Sequence, residues 1–403
     1  MSYILASINV HRFFNKDTLF MIHLWRSIFF WCMATVAFAA PMKTKNVVVV
    51  MVDGLRWQEV FRGADPNLLA TKPIHPWLGD DKERRKSAQQ AYVAQTAQER
   101  RQCLLPFFWG VMAHQGQLFG NRALGSLSQV VNPHKFSYPG YSETLVGWVD
   151  KSVDFNDNRP NPNPTVFEWL SHNPDFTGRI AAFGAWQVFD GIFNRDQAHF
   201  TVNSGFRPLT QLNTPRITLL NDLKRQLFRV LDEETYDAIT FQTALEYLKH
   251  QRPRLLFIGL GETDEWAHRN DYPHYLDAAH QMDAYMRQLW DYLQSDPQYQ
   301  NKTTLIILPD HGRGLGRKWT DHGEKTAHSE ETWMAFMGPD TPALGERDQS
   351  APQVHEAQIA ATIAALLGEN YGSEHPKAAP AIQAVLSAKP RNTSAPVKQI
   401  HLR

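Results

Sequence analysis

Three short segments place carboxylate and imidazole side chains in a fixed order: VVVVMVDG with Asp53, GETDEWAH with Asp264 and His268, and ILPDHG with Asp310 and His311. His322, followed by glycine, lies just downstream. Carboxylate oxygen and imidazole nitrogen form the donor set of zinc and related divalent cations, and these residues supply enough of both for two ions. Asp264 and His268 stand four apart, so on a helical turn both side chains meet one ion. Adjacent Asp310 and His311 cannot share a helical face and reach two different partners from a loop, which a two-metal centre provides. Taken singly, an aspartate behind a strand reads as a helix cap and a histidine as a surface or satisfied core residue. It is the joint pattern that points to metal.

A fourth element is KFSYPGYSE, residues 135–143. Pro139 fits the first turn of a helix, whose free amides face an anion, so Ser137 is the candidate nucleophile. Its hydroxyl is inert at its free pKa, and a neighbouring cation would activate it. Without the metal cluster the same serine would read as an ordinary helix cap. Further on, FNDNRPNPNP offers Asn156 and Asn158 as amide donors to an anion, against a plain turn-forming role for the Asn-Pro repeats.

The elements that must position these residues can be read around them. Each acidic cluster follows an apolar, β-branched run (47–52, 255–260, 305–308) of the kind that forms a strand buried on both faces. The carboxyl ends of parallel strands are where α/β sheets place their chemistry. Charged, Gln/Ala-rich residues 64–103 read as an insertion ending in a helix, and 104–126 as a helix then a strand leading to the serine loop. Further helices are expected at 165–170, 233–250, 274–293 and 354–367, and strands at 179–184 and 332–337.

Taken together, Asp53, Ser137-Tyr-Pro-Gly, Asp264-x-x-x-His268, Asp310-His311 and His322-Gly resemble the ordered motif set of the alkaline phosphatase superfamily. The branch they are most similar to is the type I phosphodiesterase/nucleotide pyrophosphatase-like one. The resemblance covers residues 45–370. It implies an α/β fold with a largely parallel central sheet flanked by helices on both faces, and two divalent cations, zinc first and manganese second. In that family one ion is held by residues matching Asp53, Asp310, His311 and Ser137, the other by residues matching Asp264, His268 and His322. His328, in TAHSEE, instead resembles the corresponding Ala-His of the phosphomutase branch. The implied activity is hydrolysis of phosphate mono- or diesters through a phosphoserine intermediate. A superfamily phosphomutase and a metal-binding, non-catalytic receptor or scaffold are the alternatives. Two departures stand out: the phosphodiesterase branch commonly carries threonine where this chain has Ser137, and Tyr141 stands where the sulfatase motif C/S-x-P-x-R, the site of formylglycine formation, has arginine.

Balanced charge, with 41 Lys and Arg against 41 Asp and Glu, gives no overall basic field for nucleic-acid binding. A small-molecule phosphate ester is the expected partner. Residues 1–39 read as an upstream extension and a secretory signal: MIHLWRS, an apolar run from Ile28, then Ala37-Phe38-Ala39 with cleavage after Ala39. The expectation is therefore a periplasmic or secreted enzyme with no membrane span after cleavage. Cys32 leaves with the signal and Cys103 remains alone, so no internal disulfide is expected. Residues 371–403 read as an irregular tail.

Overall fold

The run Asn46–Val52 has no polar side chain after its first residue and forms a strand, β1, buried along its whole length. Alternate side chains go to opposite faces. Val48, Val50 and Val52 join one hydrophobic cluster, and Val47, Val49 and Met51 the other. Such a strand belongs in the middle of a sheet covered on both sides.

In the computed structural model, residues 42–71, 82–231 and 233–386 are described. The expected signal, Cys32 and the last part of the expected tail lie outside them. The remaining strands are β2 (Gln117–Phe119), β3 (Ser128–Gln129), β4 (Ile180–Gly184), β5 (Thr201–Ser204), β6 (Leu255–Leu260), β7 (Thr303–Leu308), β8 (Met334–Met337), β9 (Gly345–Glu346) and β10 (Val354–His355). Eight of them form one sheet in the order β5-β4-β6-β1-β7-β8-β2-β9, while β10 pairs with β3 alone. From β5 to β7 every pairing is parallel. β8 reverses against β7 and β2, and β9 runs parallel to β2. The sheet is thus largely parallel, as the motifs implied.

Helices α1 (Trp57–Arg62), α2 (Ser137–Val146), α3 (Asp237–Gln251), α4 (Glu262–His268), α5 (Tyr272–Ser295) and α6 (Ile359–Leu366) follow in chain order. Leu245 and Leu248 of α3, with Met282 and Leu289 of α5, fill one cluster; Tyr141 and Leu145 of α2, with Ile363 of α6, fill the other. Helices therefore cover both faces. Among the described residues no helix is long and apolar enough to cross a membrane, and Cys103 is free and exposed.

Register matters most at one edge. Val52 pairs with Leu260 and Met51 with Leu308, so the residues leaving β6, β1 and β7 emerge side by side. These are the three strands that precede Asp264, Asp53 and Asp310.

Several boundaries differ from expectation for tertiary reasons. The helix expected from residue 233 starts at Asp237, because Glu234 first forms a β-bridge with Trp186. The helix expected from 354 starts at Ile359, because Val354 and His355 pair with β3 before a 3-10 turn. The strand expected from 332 is narrowed to Met334–Met337. Residues 371–386 hold only two short 3-10 turns, Tyr371–Ser373 and Gln383–Val385, yet are packed: Ile382 and Val385 are buried, and the Gln117 side chain donates to the Ala384 carbonyl at 2.7 Å.

One close approach fixes how α2 sits on the sheet. A Cβ on Gly140 would lie 2.2 Å from the Asp310 carbonyl oxygen, so only glycine lets the helix pack this near. Alanine is the better helix former, yet Gly140→Ala should destabilise the fold by about 1–3 kcal/mol through overpacking. Urea denaturation measures this, and an unchanged midpoint would show that α2 is not held against residue 310.

Candidate active site

The turn after β1 brings the first two aspartates together. Gly54 adopts φ +58, and a Cβ there would lie 2.6 Å from Asp264 Oδ1 and 2.7 Å from an Arg313 nitrogen. Its amide donates to Asp310 Oδ1 at 3.1 Å. The hydroxyl of Tyr141, one turn beyond Ser137 on α2, donates to Asp53 Oδ2 at 3.1 Å. The other oxygens, Asp53 Oδ1 and Asp310 Oδ2, are buried with no hydrogen-bond partner. Both lie 3.4 Å from His311 Nε2.

His311 is fully buried. Its Nδ1 donates to the Gly312 carbonyl at 2.9 Å, which turns Nε2 inward as the candidate ligand atom. Ser137 is the first residue of α2, and its Oγ lies 3.4 Å from the same Nε2. Asn156 accepts from the Tyr138 amide at 3.0 Å, capping the first turn of α2, while its own N–H groups have no partner among the described residues. Asn158 is instead consumed by a turn, accepting from the Gly191 amide at 3.1 Å.

The second group assembles on α4. Asp264 Oδ2 lies 2.9 Å from His268 Nε2, one helical turn on, and His268 Nε2 is 3.0 Å from His322 Nε2. The His322 ring stacks on that of His311, centroids 4.0 Å apart. Ligand atoms of Asp264, His268 and His322 lie within 4.8 Å of one another, and so do those of Asp53, Asp264 and His311. Asp53, Ser137, Asp264, His268, Asp310, His311 and His322 therefore cluster at the sheet's carboxyl edge. His328 does not: its Nδ1 pairs with Glu331 at 2.9 Å.

Electrostatics follow from this crowding. Burial, then the neighbouring Asp53, pushes the Asp310 carboxyl well above its usual range. For Asp264, burial acts upward but is outweighed by Arg313 and His268, leaving it well below that range and ionised. Burial and then the adjacent His311 push His322 well below 6.5, so its ring is neutral, as a metal ligand must be.

Three participants were not singled out by sequence. Arg313, buried, pairs with Asp264; a basic residue directly after Asp-His-Gly was its only signal. Tyr141 was read only as the residue interrupting a motif, whereas its hydroxyl orients Asp53. Glu234 has its carboxyl raised by burial and then by Glu265, Asp53, Asp237 and Asp264, and it packs so close to Gly261 that a Cβ there would touch it.

The family model described as Sulfatase matches residues 151–369. The chain belongs to the sulfatase family. Its fold is that of the alkaline phosphatase superfamily, and it is a sulfatase-like hydrolase. Wild-type alkaline phosphatase PafA superposes with TM-score 0.54 at 10% identity over 87% of this chain and 100% of that one. Phosphonate monoester hydrolase SpPMH from Silicibacter pomeroyi gives 0.52 at 12% over 87% and 78%. A 2-O GAG sulfatase gives 0.51 at 14% over 88% and 76%. No curated protein sequence matches the chain. Within the sulfatase family, Ser137-Tyr-Pro-Gly-Tyr141 departs from the C/S-x-P-x-R motif at its last position.

Without bound metal, His311 should report on the acidic pocket. Burial lowers its pKa, but Asp310, Asp53 and Asp264 raise it to about 9 from 6.5. The folded value exceeds the unfolded one, so the stabilisation is fully present below pH 6.5 and is lost as pH rises through 9. Its size is about 3 kcal/mol. With chelator present, the urea midpoint should fall across this window in the wild type and less so in His311→Asn. A wild-type midpoint that stays level would contradict the coupling.

Proposed function

We propose that this sulfatase-family protein hydrolyses phosphate mono- or diesters through a phosphoserine on Ser137, with two divalent cations, zinc first and manganese second. Asp53, Asp310, His311 and Ser137 would hold one ion, and Asp264, His268 and His322 the other. One observation carries the reading. Asp53 Oδ1 and Asp310 Oδ2 are buried, lack a hydrogen bond and both face His311 Nε2 at 3.4 Å, and two buried carboxylate oxygens converging on one imidazole are a donor set that suits a cation. Bound there, the ions would neutralise the carboxylates, lower the pKa of the Ser137 hydroxyl and offset charge on the departing oxygen.

The chain's own groups do the rest. Ser137 Oγ attacks phosphorus, forming an O–P bond as the ester oxygen leaves with its electron pair. Water then breaks the Ser137–phosphate bond and frees the serine. Asn156, fixed by the Tyr138 amide, offers its N–H groups to a non-bridging oxygen. The fold family includes sulfatases, but the choice of phosphate over sulfate rests on the nucleophile. With Tyr141 in place of arginine, Ser137 is read as an unmodified hydroxyl, which suits phosphoryl transfer between two cations. The phosphomutase alternative loses support, because its distinguishing histidine, His328, is engaged with Glu331. A leader read before Ala39 makes the periplasm or the cell exterior the proposed location.

Aryl phosphate monoesters, aryl phosphate diesters and an aryl sulfate, assayed side by side, test the reading. Phosphate esters should be cleaved, chelation should abolish turnover, and zinc or manganese should restore it. Ser137→Ala should lose at least about 100-fold in kcat. Sulfate hydrolysis faster than any phosphate ester, or full activity in metal-free protein, would overturn the proposal; metal binding without any turnover would favour the scaffold alternative.

The final ligand can be tested separately. His322→Ala should lose one bound ion and most turnover, while His328→Ala keeps both. Metal analysis giving the reverse order would restore the mutase-like assignment.

A further inference from the structure

We propose that Arg313 is the positioning residue that builds the second metal site, by tying Asp264 to the segment carrying His322; this rests on the two-ion reading above. The guanidinium is almost completely buried and all three of its nitrogens are used. Nε donates to the Trp319 carbonyl at 2.9 Å, Nη2 to the Thr320 carbonyl and Nη1 to Asp264 Oδ1. A planar, rigid fork can hold three acceptors in fixed relation. Two of these acceptors belong to the backbone just before His322, and the third is itself a ligand on α4.

His322 needs such support. Its Nδ1 is buried with no partner, so no second hydrogen bond orients the ring from behind, as is usual for a metal-binding histidine. Apart from the stack on His311 and the approach to His268, its place follows from the backbone at 319–321. That backbone is held by Arg313 and by the Gly314 amide, which donates to the Asp321 carbonyl at 2.9 Å. At the other end, engaging Asp264 Oδ1 leaves Oδ2 facing His268, 2.9 Å away.

The same guanidinium also has an opposite effect. A full positive charge beside a ligand carboxylate repels an incoming cation. The two effects have opposite signs in two substitutions. Arg313→Lys keeps the charge but cannot bridge three acceptors; Arg313→Met removes both charge and bridge.

The full chain, stripped of metal, is titrated with zinc against a chromogenic competitor, and ions per chain and both affinities are read. If positioning dominates, both variants keep the first ion and bind the second at least about tenfold more weakly. His322→Ala introduced into the Arg313→Met background should then cost less affinity than it does in the wild type, since the two changes act on one unit. The proposal is overturned if Arg313→Met tightens the second ion while Arg313→Lys matches wild type, or if both variants bind two ions as the wild type does. If Arg313→Met fails to fold, the lysine variant decides alone, because it keeps the buried charge opposite Asp264. A wild-type chain that binds no zinc sinks the two-ion reading itself, a result distinct from two tight ions in every variant.

Discussion

Asp53, Asp264 and Asp310 leave the ends of three adjacent strands and converge on one buried pocket, and the surrounding structure is arranged to make that tolerable. Each carboxylate gives one oxygen to the protein. Tyr141 takes Oδ2 of Asp53, the Gly54 amide takes Oδ1 of Asp310, and Arg313 takes Oδ1 of Asp264. The opposite oxygen in every case turns towards an imidazole: His311 for the first two and His268 for the third. Burying an ionised carboxylate is costly unless it is paired. One oxygen anchored and one turned inward keeps each side chain in place while reserving ligand capacity.

This arrangement explains how much could be read in the sequence. The clustering of these side chains was legible because they are local to their strands: an apolar run places its next residue at a sheet edge, and Asp264 with His268 needs only a helical turn. The largely parallel sheet was implied by the family resemblance, and the doubly buried runs agree with it. Contacts that depend on distant partners were not legible. Nothing local says that Tyr141 reaches Asp53 or that Arg313 spans from α4 to the segment before His322. The late starts of α3 and α6 have the same origin, since Glu234 and Val354 are drawn into bridges by partners far away in the chain. Between His322 and His328, spacing alone did not decide. The structure separates them by the Gly314–Asp321 closure, which carries His322 over the pocket, and by the Glu331 carboxylate, which engages His328.

Position 141 bears on the proposed chemistry through its contact with Asp53. It stands one turn along α2 from Ser137, on the same helical face, so whatever side chain it carries sits beside the candidate nucleophile. A phenol there is neutral: burial and the nearby Asp53 raise its pKa well above 10, and it donates a single hydrogen bond. An arginine would bring a permanent charge to the same place and compete with a cation for Asp53. Tyrosine leaves Asp53 Oδ1 available, and this ties the reading of an unmodified serine to the reading of a metal site.

The two ligand groups differ in what holds them. Asp53, Asp310 and His311 all leave strand ends whose spacing is set by ladder hydrogen bonds and by two packed hydrophobic faces. Asp264 and His268 ride on α4, whose first amides are capped by Asp237, with the Gly261 amide donating at 2.8 Å, and His322 arrives from a loop. That second group depends on side-chain clamps as well as on the end of β6. It is the place where a small change in sequence can retune the chemistry while the first group, and the fold, stay as they are.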